Sequence, residues 1–461
     1  MRHRPAIVPA LAAVTVMLAS ACSAAAGFGI NTGSVPKGAL CPGKKPAAHI
    51  TVVNWWQTLA SPDTAKAAAQ FNCAHPDIAI NMSIDPNVGD DNNGKLLAAV
   101  SAKKPPDLVL SYDDVLSAWA AKGELQPIEQ DIAGHGLQKS QFNDYAWRST
   151  LWAGHQYGLP VDWDPDTLLW YNKKIFAEVG LDPNKPPTTW DEIQADAKKI
   201  DLVQGGKLKR LGFVPWVGWQ FNYVQLGHLF GSDFKDGSSH SAVLDTPEMR
   251  KVFEYEQSVS KKFGGSAKIN SFTTVTGAQG ASADPLLSGR VGMLMIGDWE
   301  IGQEANVGKA TFNKTIGVTA LPPPPGGKQY LSHSGWSFMV PKGSKHKKEA
   351  MEFAAWMSQP KNFATYIGPS HGWLPARTDT MTQPYLTADP AWQEVIAVDK
   401  KIGTQWWLQP SPIIQQYYRI LDETQDSIIA LEKSPAGGLK QAQSQIQAAL
   451  DDATALGVYR E

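Results

Sequence analysis

Residues 50–72 read ITVVNWWQTLASPDTAKAAAQFN. Ile50, Val52 and Val53 open the segment as a buried strand, and Ala65 to Phe71 close it as a helix. Trp55 and Trp56 stand between the two, where the strand stops. The same alternation continues downstream. Ile78, Ile80, Met82 and Ile84 repeat with period two, the signature of a strand with one buried face. KLLAAVSA follows as a helix, Pro105 and Pro106 interrupt it, and Asp107–Ser111 forms a short strand. Leu116, Trp119 and Ala120 then recur at helical spacing, with Gly123 as the stop. Strand, helix, strand and helix in succession predict an α/β layered lobe.

Further along, Leu168, Leu169 and Trp170 read as strand, and Ile175, Phe176 and Val179 as one face of a short helix ended by Gly180. After Pro186 and Pro187, Thr189 and Glu192 have the spacing of a capping box. Trp190, Ile193, Ala197 and Ile200 give the helix that follows a single apolar stripe. RVGMLMIGDWEIG is an apolar strand ending at Gly297, Asp298 and Trp299, and LPPPPGG is a stiff connector. The tail from Ile413 to Leu456 reads as helical, with Tyr417, Leu421, Ile428 and Leu431 on one side.

Composition narrows the function. The chain has 461 residues, enough for two large lobes, and 43% are apolar. Charged residues are 19% with a net charge of -2, so neither nucleic acid nor a polybasic membrane contact is indicated. Seventeen tryptophans outnumber fifteen phenylalanines, and each indole is either core or a flat face for a ligand. There is no G-x-S-x-G, H-E-x-x-H or Walker loop, and no metal or cofactor is expected.

The N-terminus reads as a targeting segment. Arg2, His3 and Arg4 precede an apolar run, Ala6–Leu18, that is short for a bilayer span. Ala19, Ser20 and Ala21 before Cys22 resemble a bacterial lipoprotein cleavage site, although Leu18 sits one place further from the cysteine than usual; an ordinary secretory signal is the alternative. Residues 1–22 are then the signal, Cys22 the lipidated residue and 23–45 a tether. In an exported chain the two remaining cysteines, Cys41 and Cys73, are expected to form a disulfide.

Four segments together resemble one family: PPDLVLSYDDVLSAWAAKGELQPI (105–128), YGLPVDWDPDTLLWYNKKIFAEVGL (157–181) with PPTTWDEI (186–193), GRVGMLMIGDW (289–299) and SGWSFMVPKGSKHKKEAMEFAAWM (334–357). Their order and spacing are similar to those of the extracellular solute-binding proteins of bacterial ABC importers, carbohydrate-binding family 1, the group that includes maltose-binding protein. The resemblance implies a two-lobed periplasmic-binding-protein fold of α/β class, with a hinge and a ligand cleft between the lobes. It implies one lobe from 46–161 and 316–360 and another from 162–315 and 361–461. It also implies a monomer that binds a small molecule, foremost a di- or oligosaccharide, and docks on membrane permease subunits at the outer face of the cytoplasmic membrane. A glycerophosphodiester or polyamine binder in the same fold, and a secreted glycoside hydrolase using Asp162 and Asp164, are the competing readings.

A sugar offers C–H faces to aromatic rings and a rim of hydroxyls to carboxylates and amides. Ligands of open α/β lobes lie beyond the carboxyl ends of the strands. The residues expected there are Trp55, Trp56, Tyr112, Asp113, Asp114, Asp162, Asp164, Trp216, Trp299, Gly335, Trp336 and Trp373. Each has a structural alternative: the double tryptophan as core, Asp113 and Asp114 as helix caps, Asp162 and Asp164 as hinge partners.

Overall fold

A computed structural model of the chain describes residues 47, 49–57, 62–84, 95–217, 222–235, 240–274, 280–403, 405–406 and 409–458. The signal segment, the tether, Cys22 and Cys41 lie outside these residues. Cys73 is disulfide-bonded.

The chain begins with β1 (Thr51–Gln57), β2 (Ile78–Ile84), β3 (Leu108–Tyr112) and β4 (Gly158–Pro160). It leaves through β5 (Asp164–Pro165) and builds β6 (Leu168–Asn172), β7 (Leu202–Gln204), β8 (Lys207–Phe213), β9 (Val291–Ile296) and β10 (Ile316–Ala320). It returns through β11 (Leu331–Ser334) to β12 (Trp336–Met339), and later adds β13 (Gln405–Trp406).

Two five-stranded sheets result, one in the order β2-β1-β3-β12-β4 and one in the order β10-β6-β9-β8-β7, with a small β13-β11-β5 sheet as the third. β1 runs parallel to β2 and β3, and β8 runs parallel to β9; β12 and β6 run against their neighbours. Each large sheet is covered on both faces. Helices Pro62–Ala74, Lys347–Met357 and Pro360–Tyr366 supply Phe71, Phe353 and Phe363 to one core of the first lobe. The second lobe adds a helical layer from Asn222–Leu229, Pro247–Phe263, Ile414–Ile429 and Pro435–Ala455, which has its own core around Phe253, Tyr417 and Ile446.

Local chemistry explains these elements. Thr189 caps helix Trp190–Ile200 by accepting from Glu192 N at 3.2 Å, while the Glu192 carboxylate accepts from Thr189 N, the expected capping box. Trp190, Ile193, Ala197 and Ile200 are its buried stripe. The helix lies so close to β8 that a Cβ on Gly212 would fall 2.2 Å from the Ala197 carbonyl oxygen. Helix Pro247–Phe263 starts on Thr246 with proline in its first turn and stops at Gly264, whose φ of 86° suits glycine.

Three expectations need correction. The tail is two helices, because Ser434-Pro435 starts a new one; Leu431 lies between them, 41% exposed and at φ 69°, and not on the apolar stripe. Residues 316–320 belong to the second lobe, since β10 pairs with β6 from Ile316↔Asn172 to Ala320↔Leu168. LPPPPGG follows on that lobe too, with Leu321 in its core and Lys328 N donating to Leu229 O at 3.1 Å. Conversely, Phe363, Ile367 and Trp373 pack in the first lobe's core, so that lobe extends past 360. The chain therefore crosses between lobes at 161–166, 331–335 and 378–386.

Candidate functional site

Strand alternation decides the fate of the paired tryptophans. Trp55 points to one face of the first sheet, where Phe353 and Phe338 lie 5.1 and 6.1 Å from its ring, and it is 0% exposed. Trp56 points to the other face, packed with Leu96, Val109 and Trp119, with the Lys95 ammonium 4.7 Å from its ring centroid. Both indoles are core, contrary to the expectation that they line the ligand site.

Tyr112, at the end of β3, is different. It is 43% exposed and forms the open end of an aromatic column. Its ring lies 4.1 Å from Trp336, Trp336 lies 5.3 Å from Trp373, and Trp373 lies 4.5 Å from His371. Trp336 and Trp373 are buried, so they support Tyr112 from behind and are not themselves open faces. Burial, then Asp114 and Asp162, push the Tyr112 phenol up to about 12, so it remains a neutral donor at any physiological pH.

On the second lobe, the parallel strands β8 and β9 end at one edge, and Trp216 and Trp299 follow them. Trp299 is half-buried and packs against the cores of both lobes; its indole lies over Gly297, where a Cβ would fall 2.1 Å from the ring. Trp216 is half-buried, and its Nε1 donates to Asn270 Oδ1 at 3.0 Å. A recess of about 450 Å³ beside Trp299 is lined by Asp284, Glu300, Gln303 and Asn306. Another, of about 430 Å³, lies beside Trp216.

The remaining acids hold the crossings. Asp162 Oδ1 accepts from Trp336 N at 2.8 Å, and Asp164 Oδ1 accepts from Leu374 N at 2.9 Å. Asp298 Oδ2 also accepts from Leu374 N, at 3.2 Å. Asp166 accepts from the hydroxyls of Ser332 and Ser334, and Asp113 Oδ1 from Gly335 N. Burial raises all four of Asp162, Asp164, Asp166 and Asp298 well above the usual carboxylate range, and mutual repulsion adds to it. Burial, with Asp114 second, lifts Asp113 to about 7; burial lifts Asp114 itself to about 6, against a hydrogen bond from Tyr418 of the second lobe.

Asp113, Asp162 and Asp164 thus act as hinge ties, not as exposed hydroxyl acceptors. Gly335 is a close-approach position: a Cβ would fall 2.5 Å from Asp162 O. Of the twelve expected residues, Tyr112, Asp114, Trp216 and Trp299 keep open surface at the strand ends. Asp166 and Asp298 were not anticipated, although DWDPD carried a signal: aspartates at 162, 164 and 166 fall on one side of an extended chain. Asp422 and Gln425, which line the Trp216 recess, come from a helix 200 residues away and had no local signal.

Residues 56–362 match the model of the bacterial extracellular solute-binding protein family, and the chain belongs to that family. It is similar to a maltotriose-binding protein of Pyrococcus abyssi, 24% identical over 70% of this chain and 65% of that relative's length. It is also 24% identical to the sn-glycerol-3-phosphate-binding periplasmic protein of Salmonella paratyphi A, over 86% of this chain and 92% of that one. Among solved structures, CpMnBP1 with mannobiose bound superposes at a TM-score of 0.76 and 28% identity, covering 86% of this chain and 99% of the other. The architecture is the two-lobed α/β fold of periplasmic binding proteins.

Proposed function

We propose that the protein captures a sugar, a di- or oligosaccharide, between its lobes and delivers it unaltered to the permease subunits of an ABC importer. The observation that carries this reading is the set of aromatic faces at the strand ends: Tyr112 at the tip of its buried column, Trp299 packed against the cores of both lobes, and Trp216 beside its recess on the second lobe. The mannobiose on the similar CpMnBP1 and the maltotriose bound by the archaeal relative favour the same ligand class. Contacts from both lobes would favour the closed state through their differential affinity for it.

A glycerophosphate ligand has the Salmonella relative in its favour. Charge weighs against it. The two recesses beside the tryptophans present Asp284, Glu300, Asp422 and Asp426, and no Lys or Arg is among their lining residues. A phosphate calls for cationic donors. Hydrolysis is disfavoured because Asp162 and Asp164 are buried and hold the backbone N–H groups of Trp336 and Leu374, so neither carboxyl is open to a glycosidic bond. In this reading Cys22 carries a lipid anchor that keeps a monomer at the outer face of the cytoplasmic membrane, and Cys41 is the partner of Cys73.

A thermal-shift screen of the mature domain with mannobiose, maltotriose, sn-glycerol-3-phosphate and spermidine tests the assignment, since a ligand of the folded state raises Tm. Among these four probes an oligosaccharide is expected to give the largest rise. A rise with glycerophosphate alone would overturn the reading.

A further inference from the structure

The recess beside Trp216 has a composition that a neutral sugar does not require. Asp422 and Asp426 stand one turn apart on helix Ile414–Ile429, so their carboxylates share a face. Like charges at that spacing disfavour a helix, and among the described residues no Lys or Arg lines the recess to offset them. Asp422 Oδ1 is held by the Tyr223 hydroxyl at 2.7 Å.

Between the two acids lies Gln425, only 6% exposed. Its orientation is fixed from below. Asn222 donates its own amide to Pro215 O, which leaves Asn222 Oδ1 needing a donor. Gln425 Nε2 supplies it at 2.8 Å and also donates to both Glu256 oxygens at 2.9 and 3.0 Å. The Gln425 amide oxygen is thereby the atom offered to the recess, and it has no donor among the described residues. Thr273 spends its hydroxyl proton on Ile269 O, so it too presents lone pairs. Among the described residues, the Asn270 amide, whose oxygen accepts from Trp216, and the Thr274 hydroxyl are the donors that line it.

We propose that this recess is a subsite for a protonated amine on the ligand, seated beside the Trp216 indole and donating to Asp422, Asp426 and Gln425. An ammonium group carries three donors and no acceptor, which matches a ring of acceptors, and the indole face attracts a cation. A hydroxyl satisfies fewer of these groups, and a phosphate repels them. The proposal rests on the reading of the lobe seam as a ligand site. The shared chemistry, an amine next to an apolar C–H face, belongs to aminated sugars and to polyamines alike.

Calorimetric titration separates the cases. The probes are the β1,4-linked glucosamine disaccharide, cellobiose (which has hydroxyls in place of the amines), mannobiose and spermidine. The aminated disaccharide is expected to bind at least tenfold tighter than cellobiose. That ratio is expected to shrink at least fivefold in Asp422→Asn/Asp426→Asn, and in Asp426→Asn alone if the double variant melts early. Binding of spermidine alone, weakened in the same variants, would support the amine subsite and remove the sugar reading. Equal affinity for the aminated and neutral disaccharides, a ratio unchanged in the variants, or binding of mannobiose with neither amine, would overturn the subsite; the last result would leave the sugar reading standing.

Discussion

Trp55 and Trp56 show what a single residue's type does and does not reveal. Two large rings at a strand end read equally as core or platform, and the deciding fact is which helices cover the two faces of β1. Phe353 comes from nearly 300 residues downstream, so nothing local announces that the Trp55 face is sealed. Trp55→Ala is expected to cost about 3–5 kcal/mol of stability, as a buried aromatic truncation does, with chemical denaturation as the check. A change below about 1 kcal/mol would mean that the indole is not packed as described. The buried acids are legible in part, because the alternation in DWDPD places three carboxyls together, but their burial is a property of the crossings.

These acids also make a pH prediction. Asp114, Asp113 and Glu256 hold protons in the folded protein up to about 6, 7 and 8, all chiefly through burial. In the unfolded chain such carboxyls titrate near 4. Their stabilising contribution is therefore complete below about pH 4 and is lost as pH rises through 6 to 8, since the folded state must then give up protons into like-charged surroundings. His333, 3.2 Å from Asp399, Tyr385, which donates to Trp373 O, and Tyr112 and Tyr418 are further titratable groups beside the cluster. Tm is expected to fall between pH 5 and pH 8, and to fall less in Asp113→Asn. A Tm that rises over this interval in the wild type would contradict the protonated state of the cluster.

At the scale of the element, periodicity and capping served well. The strand at 291–296, the capping box at Thr189 and the stripe of helix Trp190–Ile200 stand where their residues place them. Lobe boundaries are not marked by such signals. LPPPPGG breaks secondary structure without separating lobes, because a proline run can lie along the surface of one lobe. The true crossing at β11–β12 is marked by Gly335, whose missing side chain lets Asp162 O approach. Gly335→Ala is expected to cost about 1–3 kcal/mol as an overpacked contact. Denaturant midpoints report it, and a variant as stable as wild type would show that the crossing has room to shift.

For the whole molecule, the α/β class was legible, since alternating strands and helices leave few alternatives, and the division into two lobes was implied by the family resemblance. The three crossings were not, because they depend on pairings such as β10 with β6 across more than 140 residues. These pairings bring Tyr112, Trp299 and the hinge acids to one seam, and the functional reading depends on that seam gripping a ligand. Calorimetry with the oligosaccharide giving the largest thermal shift, on wild type and Trp299→Ala, tests this most directly. Loss of the indole is predicted to weaken binding by about 1–3 kcal/mol, roughly five- to 150-fold, at one site per chain. Unchanged affinity in Trp299→Ala, with the variant folded, would contradict the placement of the ligand between the lobes.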